Sequence, residues 1–235
     1  MAQEPVIHIA ESKDAAADSL SSWMAEAAQE DIRDHRLSSW ALSGGSTPIL
    51  LYQRLARRSD VPWGQVALYL VDERDVFQTD PLSNARMIQD TLLSHLTSGP
   101  QWHPWLTVAE PRESLARYRH GLASLPRSPQ GFPSLDLALM GMGDDGHTAS
   151  VFPGSPQQQV NDWAAFGPGP NAARLTLTLP LLAQARRTIF LVTGPEKAAR
   201  VAECLRTDAD LPAAWLSRHA HNVHWFLDRD SASAL

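Results

Sequence analysis

Residues 135–150 read LDLALMGMGDDGHTAS. The first six form an apolar run of the kind a fully buried strand requires. The next seven crowd three glycines, two aspartates and one histidine into a turn. An apolar run ending in a polar, glycine-rich segment recurs along the chain. VIHIA (6–10), SSWAL (38–42), VALYLV (66–71), TIFLVTG (188–194) and NVHWFLD (222–228) are runs of strand type, and RLTLTL (174–179) alternates like a half-exposed strand. Helical patterns separate them: Asp14–Ile32, ILLYQRLARR with Pro48 in its first turn, Asn84–Leu96, Arg112–Leu122, and Pro195 to about Leu205.

Apolar strands alternating with amphipathic helices predict an α/β fold, a three-layer α/β/α arrangement with a mainly parallel sheet covered on both faces. In such sheets ligands bind beyond the carboxyl ends of the strands, at a switch point in strand order. SGGST (43–47), DER (72–74), GMGDDGHT (141–148) and TGPEK (193–197) all fall at those ends. No composition break or internal repeat divides the 235 residues, so residues 1–235 are read as a single domain. The stretches SLPRSPQGFPS (124–134) and FGPGPN (166–171) read as surface loops within it.

The formal net charge is −6 and the basic residues are scattered, which argues against nucleic acid or an anionic membrane as partner. An anionic ligand would then need a focused local cation site. The lone cysteine, Cys204, allows no internal disulfide framework and reads as a small core residue. The opening MAQEPVIHIAESKD lacks the pattern of a signal peptide, and no run approaches transmembrane length. The expectation is a soluble, cytoplasmic protein, and composition does not separate monomer from dimer.

Four segments carry chemistry. In Ser43-Gly44-Gly45-Ser46-Thr47, two glycines let the backbone turn and expose its N–H groups ahead of a helix, a cradle for phosphate. The same residues suit a plain strand-to-helix turn with Ser46 or Thr47 as N-cap, and the local sequence admits both. The spacing is neither the dinucleotide fingerprint nor a Walker motif. Asp72-Glu73-Arg74-Asp75 is either a solvated charge run or a device in which Arg74 binds an anion while an acid orients it. His147 has glycine neighbours that leave its ring little to pack against. Glycines such as Gly146 let the backbone approach a ligand, and Asp144 or Asp145 can hold the imidazole in one tautomer, as a general base requires. A carboxylate–histidine metal site and a turn-capping histidine are the alternatives, although no zinc spacing is present. Lys197 lies in the first turn of a helix, where the dipole disfavours a cation unless an anion sits there too; an ordinary exposed lysine is the alternative.

Taken together, SGGSTP, DER, the Ser83-Asn84 pair, GMGDDGHTASVFPG (141–154), TGPEKAAR (193–200) and LPAAWL (211–216) resemble, in this order, the 6-phosphogluconolactonases. The resemblance runs across nearly the whole chain. It implies a Rossmann-like sheet and hydrolysis of 6-phospho-D-glucono-1,5-lactone to 6-phosphogluconate in the pentose phosphate pathway, with no required metal or organic cofactor. It places the water-activating base on His147; Asp145 is taken as its catalytic partner, with Asp144 the alternative orienting acid. Asp72 and Arg74 are expected to line the pocket. The phosphate falls to Ser43, Gly44, Gly45, Ser46 and Thr47 with Lys197, and further substrate contacts to Asn84, Gly146 and Arg174. A lactone is an activated ester, so one base for water and donors for the tetrahedral oxyanion suffice. The segment after DER, DVFQTDPLSN, departs from the family pattern, and SGPQWHPWLT (98–107) matches none of it.

Two rival readings belong to the same architecture. Glucosamine-6-phosphate deaminases carry DEY and GHIAFNEP elements, and their ring-opening histidine works with a glutamate five residues on; here that position is Phe152. A non-catalytic sugar-phosphate sensor is the other, and it would usually carry a helix-turn-helix segment as well.

Overall fold

Trp225 and Phe226 are consecutive in the strand Val223–Asp228, so they point to opposite faces of their sheet, and both are buried. Phe226 lies edge-on to Trp23, in the helix Lys13–His35. Trp225 donates its indole N–H to Ser217 Oγ, in the helix Pro212–His219. One helix therefore covers each face, and the expected three layers follow from two adjacent side chains.

The structure, a computed structural model, describes residues 4–35, 37–206 and 208–235. In chain order the elements are β1 (Val6–Ala10), α1 (Lys13–His35), β2 (Ser38–Leu42), α2 (Ile49–Leu55), β3 (Val66–Leu70), β4 (Asp72–Arg74), α3 (Asn84–Thr91), β5 (Gln101–His103) and α4 (Pro111–Leu122). They continue with β6 (Leu137–Met140), β7 (Ala164–Gly167), β8 (Arg174–Leu177), α5 (Leu179–Leu182), β9 (Thr188–Val192), α6 (Ala198–Cys204), α7 (Pro212–His219) and β10 (Val223–Asp228). No helix among the described residues is long and apolar enough to cross a membrane.

The main sheet runs β1-β10-β9-β6-β2-β3-β5 with every pairing parallel. Its inner strands β2, β3, β6 and β9 are buried at every position, which is why they read as largely apolar runs; the buried Ser38 and Ser39 of β2 are satisfied by Asp31 and Asp136. Strand order reverses between β2 and β6: β3 and β5 lie beyond one, β9, β10 and β1 beyond the other. That reversal opens the crevice in which α/β sheets bind ligands. A second, antiparallel sheet, β4-β8-β7, carries DER and Arg174.

Several expectations need correcting. DER does not simply prolong β3 but forms its own strand in the second sheet. RLTLTL is not half-exposed: β8 stops at Leu177 and is buried throughout, and Thr178 turns the chain into α5 by accepting from the Leu181 N–H. The helix from Asn84 ends at Thr91, with a 3-10 turn at Leu93–His95. The helix read from Pro195 begins as a 3-10 turn, Pro195–Lys197, before α6. β5 and β7 went unread, β5 because it spans three residues at a sheet edge.

The edge strand β1 and its neighbour β10 hold a half-buried histidine pair, His8 Nε2 and His224 Nδ1 lying 3.0 Å apart. Burial pushes the His8 pKa down. Burial, then the charges of His8 and Arg187, push His224 from 6.5 to about 4. The unfolded chain therefore takes up protons at a pH where folded His224 refuses them, and stability is lost as pH falls from 6.5 towards 4. Urea unfolding midpoints should decline over that window, and less steeply in His224→Gln. Equal slopes for the two proteins would show that the pair is not the source.

Candidate active site

β9, β6 and β2 are neighbours at the centre of the main sheet, so the segments leaving their carboxyl ends stand side by side. Those segments are TGPEK, GMGDDGHT and SGGST. The β4–β8 pair closes over the same end. Between them lies a cavity of about 290 Å³, lined by Ser43–Pro48, Asp72, Arg74, Asn84, Gly141–Gly143, His147, Ala149, Ser150, Phe152, Pro170 and Arg174.

The SGGST turn departs from plain helix capping. Pro48 holds the N-cap position of α2 and no side chain caps the helix, so neither Ser46 nor Thr47 is spent there. α2 has only seven residues, which leaves the expected helix-dipole contribution small and the turn itself as the binding element. Gly45 has φ +92°, a conformation that favours glycine. Gly44 is required for another reason: a Cβ there would lie 1.8 Å from Asn84 Oδ1. The buried Tyr52 anchors the turn by donating its hydroxyl to the Ser43 carbonyl at 2.6 Å.

In DER, strand alternation sends Asp72 and Arg74 to one face and Glu73 to the other. Asp72 accepts from Ser150 Oγ and, at 3.3 Å, from Asn84 Nδ2. Arg74 Nη1 donates to Leu82 O at 2.7 Å and Asn84 Oδ1 at 2.9 Å. The antiparallel register sets Arg74 directly opposite Arg174, which is 7% exposed. Arg174 Nη2 donates to Pro170 O at 3.0 Å. Both guanidiniums keep a buried Nε with no partner. Ion pairs form elsewhere, as at Arg54 with Asp14 and Asp18, Arg119 with Asp162, and Arg187 with Asp31; among the described residues neither Arg74 nor Arg174 has one. Burial, then the charge of Arg74, lowers the pKa of Arg174. Two guanidiniums without an ion pair therefore share the cavity with one carboxylate, Asp72.

His147 sits on a turn shaped for it. Gly146 has φ +81°, and the Gly143 N–H donates to the His147 carbonyl at 2.9 Å. His147 Nδ1 lies 2.6 Å from Asp145 Oδ1, which also accepts the His147 backbone N–H at 3.0 Å. Asp145, not Asp144, is thus the orienting acid. Burial works to raise the Asp145 carboxyl, but the hydrogen bonds from His147 outweigh it and its pKa ends below the ordinary value. With Nδ1–H given to a carboxylate, Nε2 keeps a free lone pair. Phe152 packs on the other side of the ring, centroids 4.6 Å apart. Gly146 is not among the lining residues; it packs against Leu211 and shapes the turn. Among the described residues, no three His, Cys, Asp or Glu side chains converge as a metal cage would require.

Lys197 is placed differently from expectation. It is the last residue of the 3-10 turn, is not among the lining residues, and gives its ammonium to Met142 O at 3.0 Å and to the Asp144 carboxylate. Asp144 is otherwise exposed, its side chain 79% accessible. Sequence reasoning missed Ser150 and Pro170 in the lining. Ser150 was legible as part of the GHTAS motif, whereas nothing local marks Pro170.

A family profile described as glucosamine-6-phosphate isomerases/6-phosphogluconolactonase matches residues 11–225. The chain is 37% identical over 202 residues to a 6-phosphogluconolactonase of Synechocystis, covering 83% of each chain. It is 35% identical over 202 residues to one of Nostoc, again covering 83% of each. A solved structure of 6-phosphogluconolactonase from Trypanosoma brucei superposes with a TM-score of 0.88 at 28% identity, over 99% of both chains.

A Cβ on Gly143 would meet His147 Nδ1 at 2.1 Å, although the backbone there tolerates alanine. Gly143→Ala should push the imidazole off Asp145, seen as a changed Nδ1/Nε2 pattern in the 15N spectrum of His147. An unchanged pattern would show that the close approach does not fix the ring.

Proposed function

The chain belongs to the glucosamine-6-phosphate isomerase/6-phosphogluconolactonase family, and from that membership and the geometry of the site we propose that it hydrolyses 6-phospho-D-glucono-1,5-lactone to 6-phosphogluconate, with His147 as the base that activates water. One observation carries the reading: an Asp145-oriented His147 and two unpaired arginines line the same cavity. One group moves a proton; the others hold an anion.

The chemistry follows from these positions. Asp145 accepts from Nδ1–H, so His147 Nε2 takes a proton from a water attacking the lactone carbonyl carbon. The carbonyl oxygen becomes a tetrahedral oxyanion. As the intermediate collapses, the bond from C1 to the ring oxygen breaks and the imidazolium returns its proton to that leaving oxygen. The guanidiniums of Arg74 and Arg174 and the N–H groups of the Ser43–Thr47 turn share the phosphate and the developing oxyanion. Asn84 holds Arg74 in place through the 2.9 Å bond. Lys197 stands one strand over, beside the end of β6. Its pairing with the exposed Asp144 is weak enough to be exchanged for a phosphate.

Phe152 favours hydrolysis over the deaminase reaction. In the deaminases the histidine works with a glutamate five residues on, and at that position here the apolar ring of Phe152 packs against His147.

With lactone freshly generated from glucose 6-phosphate, His147→Ala should lower kcat by about 10²–10⁴-fold with little change in KM. Asp145→Asn should move kcat in the same direction, because an amide NH₂ facing Nδ1 favours the wrong tautomer. A folded His147→Ala protein at the wild-type rate would remove His147 as the base. Lys197→Ala should raise KM for the phosphorylated lactone and leave kcat near wild type; an unaltered KM would take Lys197 out of the phosphate site.

A further inference from the structure

Glu73 is wholly buried, and among the described residues it forms no ion pair. Four neutral donors hold its carboxylate instead. Oε1 accepts from the Arg74 N–H at 2.8 Å and the Asn84 N–H at 2.7 Å. Oε2 accepts from the Ala85 N–H at 2.7 Å and Ser83 Oγ at 3.0 Å. Burial, with a smaller contribution from the charge of Asp72, leaves the Glu73 pKa above its usual value although the three backbone N–H groups act to lower it.

These bonds lead to the site. Asn84 and Ala85 open α3, so their N–H groups have no partner within the helix, and Glu73 takes both. Ser83, the N-cap, accepts from the Arg86 N–H with the same hydroxyl it donates to Glu73. The first residue of α3 is thereby fixed in place. Its side chain then makes the contacts that join the segments: Asn84 Oδ1 accepts from Arg74, Nδ2 donates to Asp72 O at 2.9 Å, and the amide packs where a Cβ on Gly44 would be. Glu73 also ties down the Arg74 main chain directly.

We propose that Glu73 is a positioning residue whose buried negative charge locks Asn84, and through it Arg74, Asp72 and the SGGST turn, into binding geometry. The carboxylate touches no substrate and acts only through Asn84 and the Arg74 backbone. Its charge matters because all four of its partners are donors. A glutamine in its place must turn an NH₂ towards two of them, whichever way the amide is flipped.

The proposal rests on the lactonase reading for its assay and is tested by a double-mutant cycle. Glu73→Gln, checked for folding by circular dichroism, should lower kcat/KM about 10–100-fold. In an Asn84→Ala background the same substitution should cost less than about 2-fold, because the residue it positions is already gone. A wild-type kcat/KM for Glu73→Gln, or full additivity in the cycle, overturns the proposal. If Glu73→Gln does not fold, Ser83→Ala removes one of the four donors and enters the same cycle, with the same non-additivity expected and additivity again overturning it. Should the wild-type protein hydrolyse no lactone, the functional reading fails and the positioning role is read by NMR. Displaced Arg74 guanidinium and Asn84 amide resonances in the Glu73 or Ser83 variant support it; unmoved ones overturn it.

Discussion

Two arginines facing each other across an antiparallel strand pair set the terms for everything around them. Like charges directly opposite in a sheet are unfavourable, and burial adds to the cost. The register of β4 on β8 nonetheless puts Arg74 against Arg174. The nearby acids offset them only in part: the charges of Asp72 and Glu73 favour the Arg174 guanidinium, but neither pairs with it, Asp72 being engaged by Ser150 and Asn84 and Glu73 by the start of α3. What remains is a concentrated positive site on a chain whose net charge is −6. Such a site favours a ligand carrying negative charge.

The main sheet supplies the other half of the arrangement. Reversal of strand order between β2 and β6 places the SGGST turn beside the histidine turn, and β9 brings Lys197 alongside. Glycines at 44 and 143 then let Asn84 and His147 approach the neighbouring backbone more closely than a Cβ would allow. In the proposed reaction, an anion held at the arginines and the SGGST turn would bring a sugar ring within reach of an imidazole already fixed by Asp145. Little reorganisation is left to do during the reaction.

Much of this was legible in the chain. The central strands announced themselves because burial on both faces demands unbroken apolar runs, and the polar segments fell at their ends for the same topological reason. The GMGDDGH turn named its histidine and two candidate acids; choosing Asp145 over Asp144 needed the 2.6 Å contact. Pairing between β4 and β8 was not legible, since register across distant segments leaves no local mark. The face-to-face arginines therefore stayed hidden although both residues had been singled out. Glu73 went unread because a carboxylate inside DER looks solvated until α3 is seen to begin against it. The stretch 98–107 proved to be edge and core: His103 stacks on Tyr69 with its pKa lowered by burial, and Trp105 stacks on Tyr118.

A site built on paired arginines and a histidine base should act on a phosphorylated lactone and largely ignore its unphosphorylated counterpart. The direct measurement is kcat/KM of the wild-type protein for freshly made 6-phospho-D-glucono-1,5-lactone against D-glucono-1,5-lactone, each corrected for spontaneous hydrolysis. The account predicts strong acceleration for the phosphorylated substrate and a preference of at least about 10³-fold, given the worth of charge-assisted contacts to a phosphate. Equal rates for the two lactones, or no acceleration over background with either, would contradict it.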